Sequence, residues 1–207
     1  MNDDITTESF LVGEEELGCI LVCEAPPVRD LNTLLEDLHI AFGSGFVWTL
    51  RQITSHGEFK PIPGENDIYI VGGETDDDYD NLLNAARKAV EHGYRVFILP
   101  NPKGIRTADF IFERKGVYGL YDLKTIQGKA SAGNRMKESI GQTNRVLLNI
   151  TSDYNARLLA SDVKGYFEIN PKAIEVLIFK GNKVISIKRG LAENKTFNRI
   201  FRKLYEK

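Results

Sequence analysis

Residues 107–125 read TADFIFERKGVYGLYDLKT, and the way this stretch folds back on itself decides the reading of the chain. Apolar and aromatic residues flank Lys115-Gly116, a pair suited to a tight turn between antiparallel strands. A turn centred there pairs 114 with 117, 111 with 120 and 109 with 122. Directly opposed side chains stand about 4.5 to 5.5 Å apart at Cβ, so Asp109 and Asp122 face each other across the hairpin. Alternation places Lys124 beside Asp122 and turns Leu123 the other way, with Phe110, Phe112 and Tyr121. Opposed carboxylates repel unless a proton or a cation lies between them, and the spacing suits a shared divalent cation. The expectation depends on register, because a slip of one residue gives each acid a different partner.

Outward from the hairpin the pattern alternates between helix and strand, an α/β chain built on a mixed β-sheet with flanking helices. Toward the amino terminus, 17–23 reads as an apolar strand, 30–42 as an amphipathic helix ended by Gly43-Ser44-Gly45, 46–53 as a strand, 55–64 as a loop with two prolines, and 67–71 as a strand. A helix over 78–92 has Leu82, Leu83, Ala86 and Val90 on one side and Asp80, Asn84, Arg87 and Glu91 on another. The acids at 74–80 suit its start, where the helix dipole favours negative charge. A strand follows over 96–99.

Beyond the hairpin, 126–133 is a polar loop from which Lys129 and Ser131 would reach a substrate, and 134–144 is a helix with Arg135, Glu138, Gln142 and Arg145 in one stripe. Two arginines beside an acidic site offer planar forks of donors to phosphates; a solvated helix face explains the same stripe. A strand over 145–150, a short helix over 153–164, a hairpin over 173–188 turning at Gly181-Asn182, and a basic amphipathic helix over 191–207 with Phe197, Ile200, Phe201 and Leu204 as its apolar stripe complete the chain.

With 207 residues, 42% hydrophobic and 27% charged, the composition is that of a globular protein and excludes disordered and fibrous classes. No apolar run approaches a membrane span, and MNDDITTESF lacks the basic-then-apolar order of a secretory leader, so the expected location is cytoplasmic, with delivery by another system left open. Cys19 and Cys23 share one face of an apolar strand with no second Cys/His pair to complete a metal site, which reads as packing. The net charge of −2 conceals a division. Residues 1–100 hold 6 Lys and Arg against 19 Asp and Glu, a net of −13, and residues 101–207 hold 21 against 10, a net of +11. A basic half carrying a carboxylate site fits a phosphodiester substrate; attraction between the two halves is the plainer account.

The pattern Thr107-Ala108-Asp109, a hairpin, then Asp122-Leu123-Lys124 resembles the PD-(D/E)xK nuclease superfamily, with Ala108 where that motif has its proline. From about 79 to 189 the chain looks most like the C-terminal tRNA nuclease domain of contact-dependent growth inhibition (CdiA-type) toxins. That likeness is carried by the helix ending His92-Gly93-Tyr94, the strand after it, the run Pro102-Lys103-Gly104, the two acidic motifs and the helix leading to Gln142. The resemblance implies a restriction-endonuclease-like core over 74–207, preceded by an acidic α/β portion over 1–73 of unknown role. It implies a metal-dependent endonuclease, toxin or mobile-element associated, acting on nucleic acid, with RNA of tRNA type ahead of DNA, and a possible immunity-protein partner. In it Asp109, Asp122 and the carbonyl of Leu123 would bind Mg2+, with Mn2+ or Zn2+ as alternatives. Lys124 would orient water or stabilise developing charge, Gln142 would match the glutamine that follows the D/E-x-K strand, and Asp80, or after it Glu91, would complete the metal site. The competing class is a non-catalytic binding or assembly protein on the same scaffold.

Overall fold

The computed structural model describes residues 29–38, 40–41, 43–72, 78–101, 107–128 and 131–206. The strand expected over 17–23 with its two cysteines, His39, the acids at 74–77, the run 102–104 and Lys129 lie outside the described residues.

The first helix, α1 (Leu31–Asp37), begins where the Asp30 carboxylate accepts from Thr33 N at 3.2 Å. The stretch read as a strand over 46–53 is instead helix α2 (Gly43–Thr54). Phe46, Leu50 and Ile53 recur at helical spacing, and burying Leu50 and Ile53 outweighs the strand preference of Val47 and Trp48, which stay exposed. Gly43, at φ 60°, opens this helix instead of closing the one before it. The stretch read as a loop over 55–64 contains a short strand, β1 (Phe59–Pro61), and its proline is tolerated because the strand lies at the sheet edge. Then come β2 (Ile68–Val71), α3 (Tyr79–Glu91), β3 (Arg95–Ile98), β4 (Phe110–Arg114) and β5 (Val117–Ile126). They are followed by α4 (Ala132–Glu138), β6 (Arg145–Ile150), α5 (Ala156–Ile169), β7 (Glu175–Lys180) and β8 (Lys183–Lys188). The tail read as one helix is two, α6 (Arg189–Ala192) and α7 (Phe197–Glu206). The Asn194 side chain, accepting from both Thr196 N and Thr196 Oγ1 at 2.8 Å, separates them. The buried stripe of α7 is Phe197, Phe201 and Tyr205, with Leu204 exposed.

The fold is α/β: among the described residues, eight strands form one mixed sheet in sequential order from β1 to β8. β2 runs parallel to β3, β5 parallel to β6 and β6 parallel to β7, and the remaining neighbours are antiparallel. Residues 59–71 therefore share a sheet with the later strands. The central hairpin has the expected register, Phe110 opposite Tyr121, Ile111 opposite Leu120 and Arg114 opposite Val117. Its turn needs positive φ at both central residues, met by Lys115 at 53° and Gly116 at 78°, and the Glu113 carboxylate accepts from Gly116 N at 2.7 Å.

Helix α3 covers one face of the sheet through Ala85, Ala86 and Ala89, packed over Phe110, Phe112, Tyr121, Leu123 and Leu147. The opposite face carries two separate apolar clusters. One gathers α1 and α2 over Phe97, Ile111 and Leu120. The other gathers α4, α5 and α7 over Ile126, Val146, Leu148 and Ile178. Asp109, Asp122 and Lys124 belong to that face and to neither cluster, which leaves a charged seam between them.

Candidate active site

Asp109 is fixed by its backbone on both sides. Its N–H donates to the Tyr121 carbonyl at 3.0 Å, and its carbonyl accepts from Leu99 N at 2.9 Å. Extending the hairpin register by one pair places it opposite Asp122. Asp109 Oδ2 accepts from Leu123 N at 2.5 Å, so the strand that carries one acid also grips the other. Asp122, 2% exposed, holds Lys124 Nζ 2.8 Å from its Oδ2 and accepts on the same oxygen from the Ser139 hydroxyl.

Burial raises the pKa of Asp109 to about 7, and the charge of Asp122 pushes it the same way. The Leu123 N–H and the Lys124 ammonium oppose the rise without cancelling it, and a hydrogen bond to Asp122 favours the protonated form. Near neutrality Asp109 therefore holds a proton far more readily than an ordinary aspartate, and a cation at the seam would compete with it. The ligands the seam itself shows are the two carboxylates; Leu123 presents its N–H there, to Asp109 Oδ2. No group of three or more His, Cys, Asp or Glu gathers among the described residues. Two carboxylates with the remaining positions left to water suit a hard ion such as Mg2+, whereas Zn2+ prefers nitrogen and sulfur ligands, which the described residues of the seam do not offer.

Beside the seam lies a cleft of about 460 Å³ lined by Asp78, Asn81, Leu123, Lys124, Thr125, Gln127, Arg135 and Glu138; Lys124 reaches it from the seam, while Asp109 and Asp122 lie behind its lining. Among the residues expected to bind substrate, Arg135 lines this cleft and pairs with Glu138 at 3.2 Å. Helix α4 ends at Glu138 instead of running to 144, because the chain turns through Gly141 at φ 91°. That early end separates the expected stripe. Gln142 sits in the turn with its amide donating to the Glu138 carbonyl at 3.0 Å, away from the cleft lining. Arg145 belongs to β6 and pairs with Glu175 at 3.5 Å, on the face covered by α3. Ser131 is the N-cap of α4, accepting from Asn134 N at 3.3 Å. Asp80 is exposed and outside the cleft lining, its charge acting on Arg87, and Glu91 is exposed at the far end of α3. The residues that α3 brings to the cleft are Asp78 and Asn81, whose amide donates to Asp78 Oδ1.

Ser139 was not among the expected site residues, yet it is fully buried against Asp122. Its signal lay in spacing: Ala132, Met136 and Ser139 fall at i, i+4 and i+7, so a hydroxyl occupies the otherwise apolar inward stripe of α4.

No protein-family model matches this chain, and no curated protein does. Among solved structures, a chain of the CdiA-CT/CdiI toxin and immunity complex from Burkholderia pseudomallei overlaps 57% of this chain and 98% of its own length, with 13% identity and a TM-score of 0.38. Among the described residues, no helix is long and apolar enough to cross a membrane.

Proposed function

We propose that this protein is a metal-dependent nuclease that hydrolyses phosphodiester bonds, with RNA as its substrate. The observation that carries the reading is the facing pair Asp109 and Asp122, buried beside Lys124, which lines a cleft together with Arg135. Asp109, Asp122 and the Leu123 carbonyl would hold the cation. When bound, a hard divalent ion polarises a phosphoryl oxygen and makes a coordinated water more acidic. Lys124, positioned through Asp122, neutralises charge that develops at phosphorus, and Arg135 offers a planar fork to a phosphate at the cleft mouth. RNA in preference to DNA, a toxin role and an immunity-protein partner follow from the sequence resemblance alone, as does a restriction-endonuclease-like core.

One observation favours the competing reading of a binding or assembly protein: Asp122 Oδ2 is already satisfied by Ser139 and Lys124. Cleavage of total tRNA, single-stranded RNA and duplex DNA by the full chain, with Mg2+ or Mn2+ and with EDTA, separates the two. The nuclease reading expects RNA to be cut, EDTA to stop the cutting and Asp122→Asn to abolish it. Unchanged cutting by that variant overturns the assignment, and no cutting of any substrate supports the binding protein.

A further inference from the structure

We infer that the cleft continues over the rim of the sheet onto the α3 face as a second phosphate subsite, formed by Lys88 and Thr125, which takes the phosphodiester adjacent to the one at Asp109 and Asp122. The inference rests on the nuclease reading above.

The α3 face of β5, β6 and β7 is apolar through Leu123, Leu147, Leu177 and Phe179. At the carboxyl ends of the strands it changes to Thr125 and Asn149, which are register partners. Asn149 is 1% exposed and both ends of its amide are engaged: Oδ1 accepts from Lys88 Nζ at 2.7 Å, and Nδ2 donates to Asn84 Oδ1 at 3.1 Å. A buried amide satisfied on both sides is a rigid tether, and what it tethers is an ammonium at the strand ends. Lys88 makes no ion pair among the described residues. Burial lowers its pKa, against the opposing charge of Glu91 one turn on. One of its three donors goes to Asn149.

Thr125 supplies the second, independent sign. It lines the cleft, yet its Oγ1 is buried with no hydrogen-bond partner among the described residues, an unfavourable state that a ligand acceptor would relieve. Lys124 and Thr125 are consecutive on β5 and point to opposite faces. A polynucleotide crossing the end of this strand presents one phosphate to Lys124 and Arg135 and the next to Thr125 and Lys88. The two acids at the cleft are already engaged, Asp78 by Asn81 and Glu138 by Arg135.

The test is binding of a short labelled single-stranded RNA to the full chain in EDTA, followed by fluorescence anisotropy across a salt series. Lys88→Met, which keeps the packed methylenes, should weaken binding roughly tenfold and flatten the log K against log salt slope by about 0.7, the release expected of one single-strand phosphate contact. Thr125→Val should weaken it a few-fold at unchanged slope. A Lys88→Met slope equal to wild type overturns the subsite. Should that variant not fold, unchanged affinity in Thr125→Val overturns it instead. Competition by inorganic phosphate would assign the pocket to free phosphate and overturn the strand-crossing path. If the wild-type chain binds no RNA, this inference falls while the Mg2+ cleavage assay still decides the nuclease reading, and wild-type binding with unaffected variants likewise removes this inference alone.

Discussion

Asp122 and Glu175 are both buried or nearly buried carboxylates on the same sheet, each accepting from a serine hydroxyl and each beside a cation, yet their surroundings differ in one respect. Glu175 has Arg145 at 3.5 Å, Ser186 Oγ at 2.5 Å and Tyr121 OH at 2.9 Å, with no second acid in the group. Its charge is matched, and the tyrosine hydroxyl is held protonated by burial and by the glutamate charge. Asp122 has Lys124 and Ser139, but across the hairpin it meets Asp109. Two acids against one lysine leave the seam one positive charge short. A matched acid holds strands together, while an acid pair with a missing charge is a place to put a cation.

Asp122→Asn tests that contrast most severely. If the pair holds a metal, turnover should fall on the order of a thousandfold, measured as initial rates of RNA cleavage in saturating Mg2+. Glu175→Gln should act on stability instead, lowering the unfolding free energy by about 2 to 3 kcal/mol in a denaturant titration while folded protein cuts at the wild-type rate. A Glu175→Gln protein of normal stability and no activity would reverse the roles of the two carboxylates.

Ser139→Ala sharpens the comparison within the seam. Removing the hydroxyl strips one donor from Asp122 Oδ2 and leaves the buried carboxylate to Lys124, at a cost of about 1 to 2 kcal/mol in stability. As a positioning residue Ser139 should also shift metal response: the Mg2+ concentration for half-maximal cleavage should rise more than in an equally destabilised core variant such as Val163→Ala. Equal responses in the two would reduce Ser139 to packing.

The hairpin was legible in the sequence because its evidence is local. Lys115-Gly116 fixes the turn, the turn fixes the register, and the register brings the acids at 109 and 122 together. The strands after it were legible for a related reason, since apolar runs such as 146–148 and the turn at Gly181-Asn182 state their own boundaries. What failed depended on where a helix stops. The stripe of Arg135, Gln142 and Arg145 required a helix to 144, and the chain ends it at Glu138 so that Ser139 reaches Asp122. The stretch over 46–53 has strand-forming residues at helical spacing, and packing of Leu50 and Ile53 against the sheet decided between them. At α3 the acid at 80 was expected to face the site, but the N-cap Asp78 and Asn81 are the residues that line the cleft.

The smallest effect concerns the raised pKa of Asp109. An ordinary aspartate titrates near 3.8 and Asp109 in the folded chain near 7. Between those values the native state binds more protons than the unfolded state, so this group's contribution to stability is full below about pH 4 and declines as pH rises through 7. Asn at 109 keeps an oxygen for Leu123 N and offers an N–H to Asp122, but has nothing to titrate. Asp109→Asn should therefore be roughly 1 kcal/mol more stable than wild type at pH 8 in EDTA, with the advantage shrinking toward pH 4. Adding Mg2+ at pH 8 should raise the wild-type Tm and leave the variant nearly unmoved, because only the wild-type pair has the second negative charge to give up. A variant whose advantage over wild type is the same at pH 4 and pH 8 would mean that Asp109 titrates in the folded chain as it does in the unfolded one and that the seam is not short of a charge.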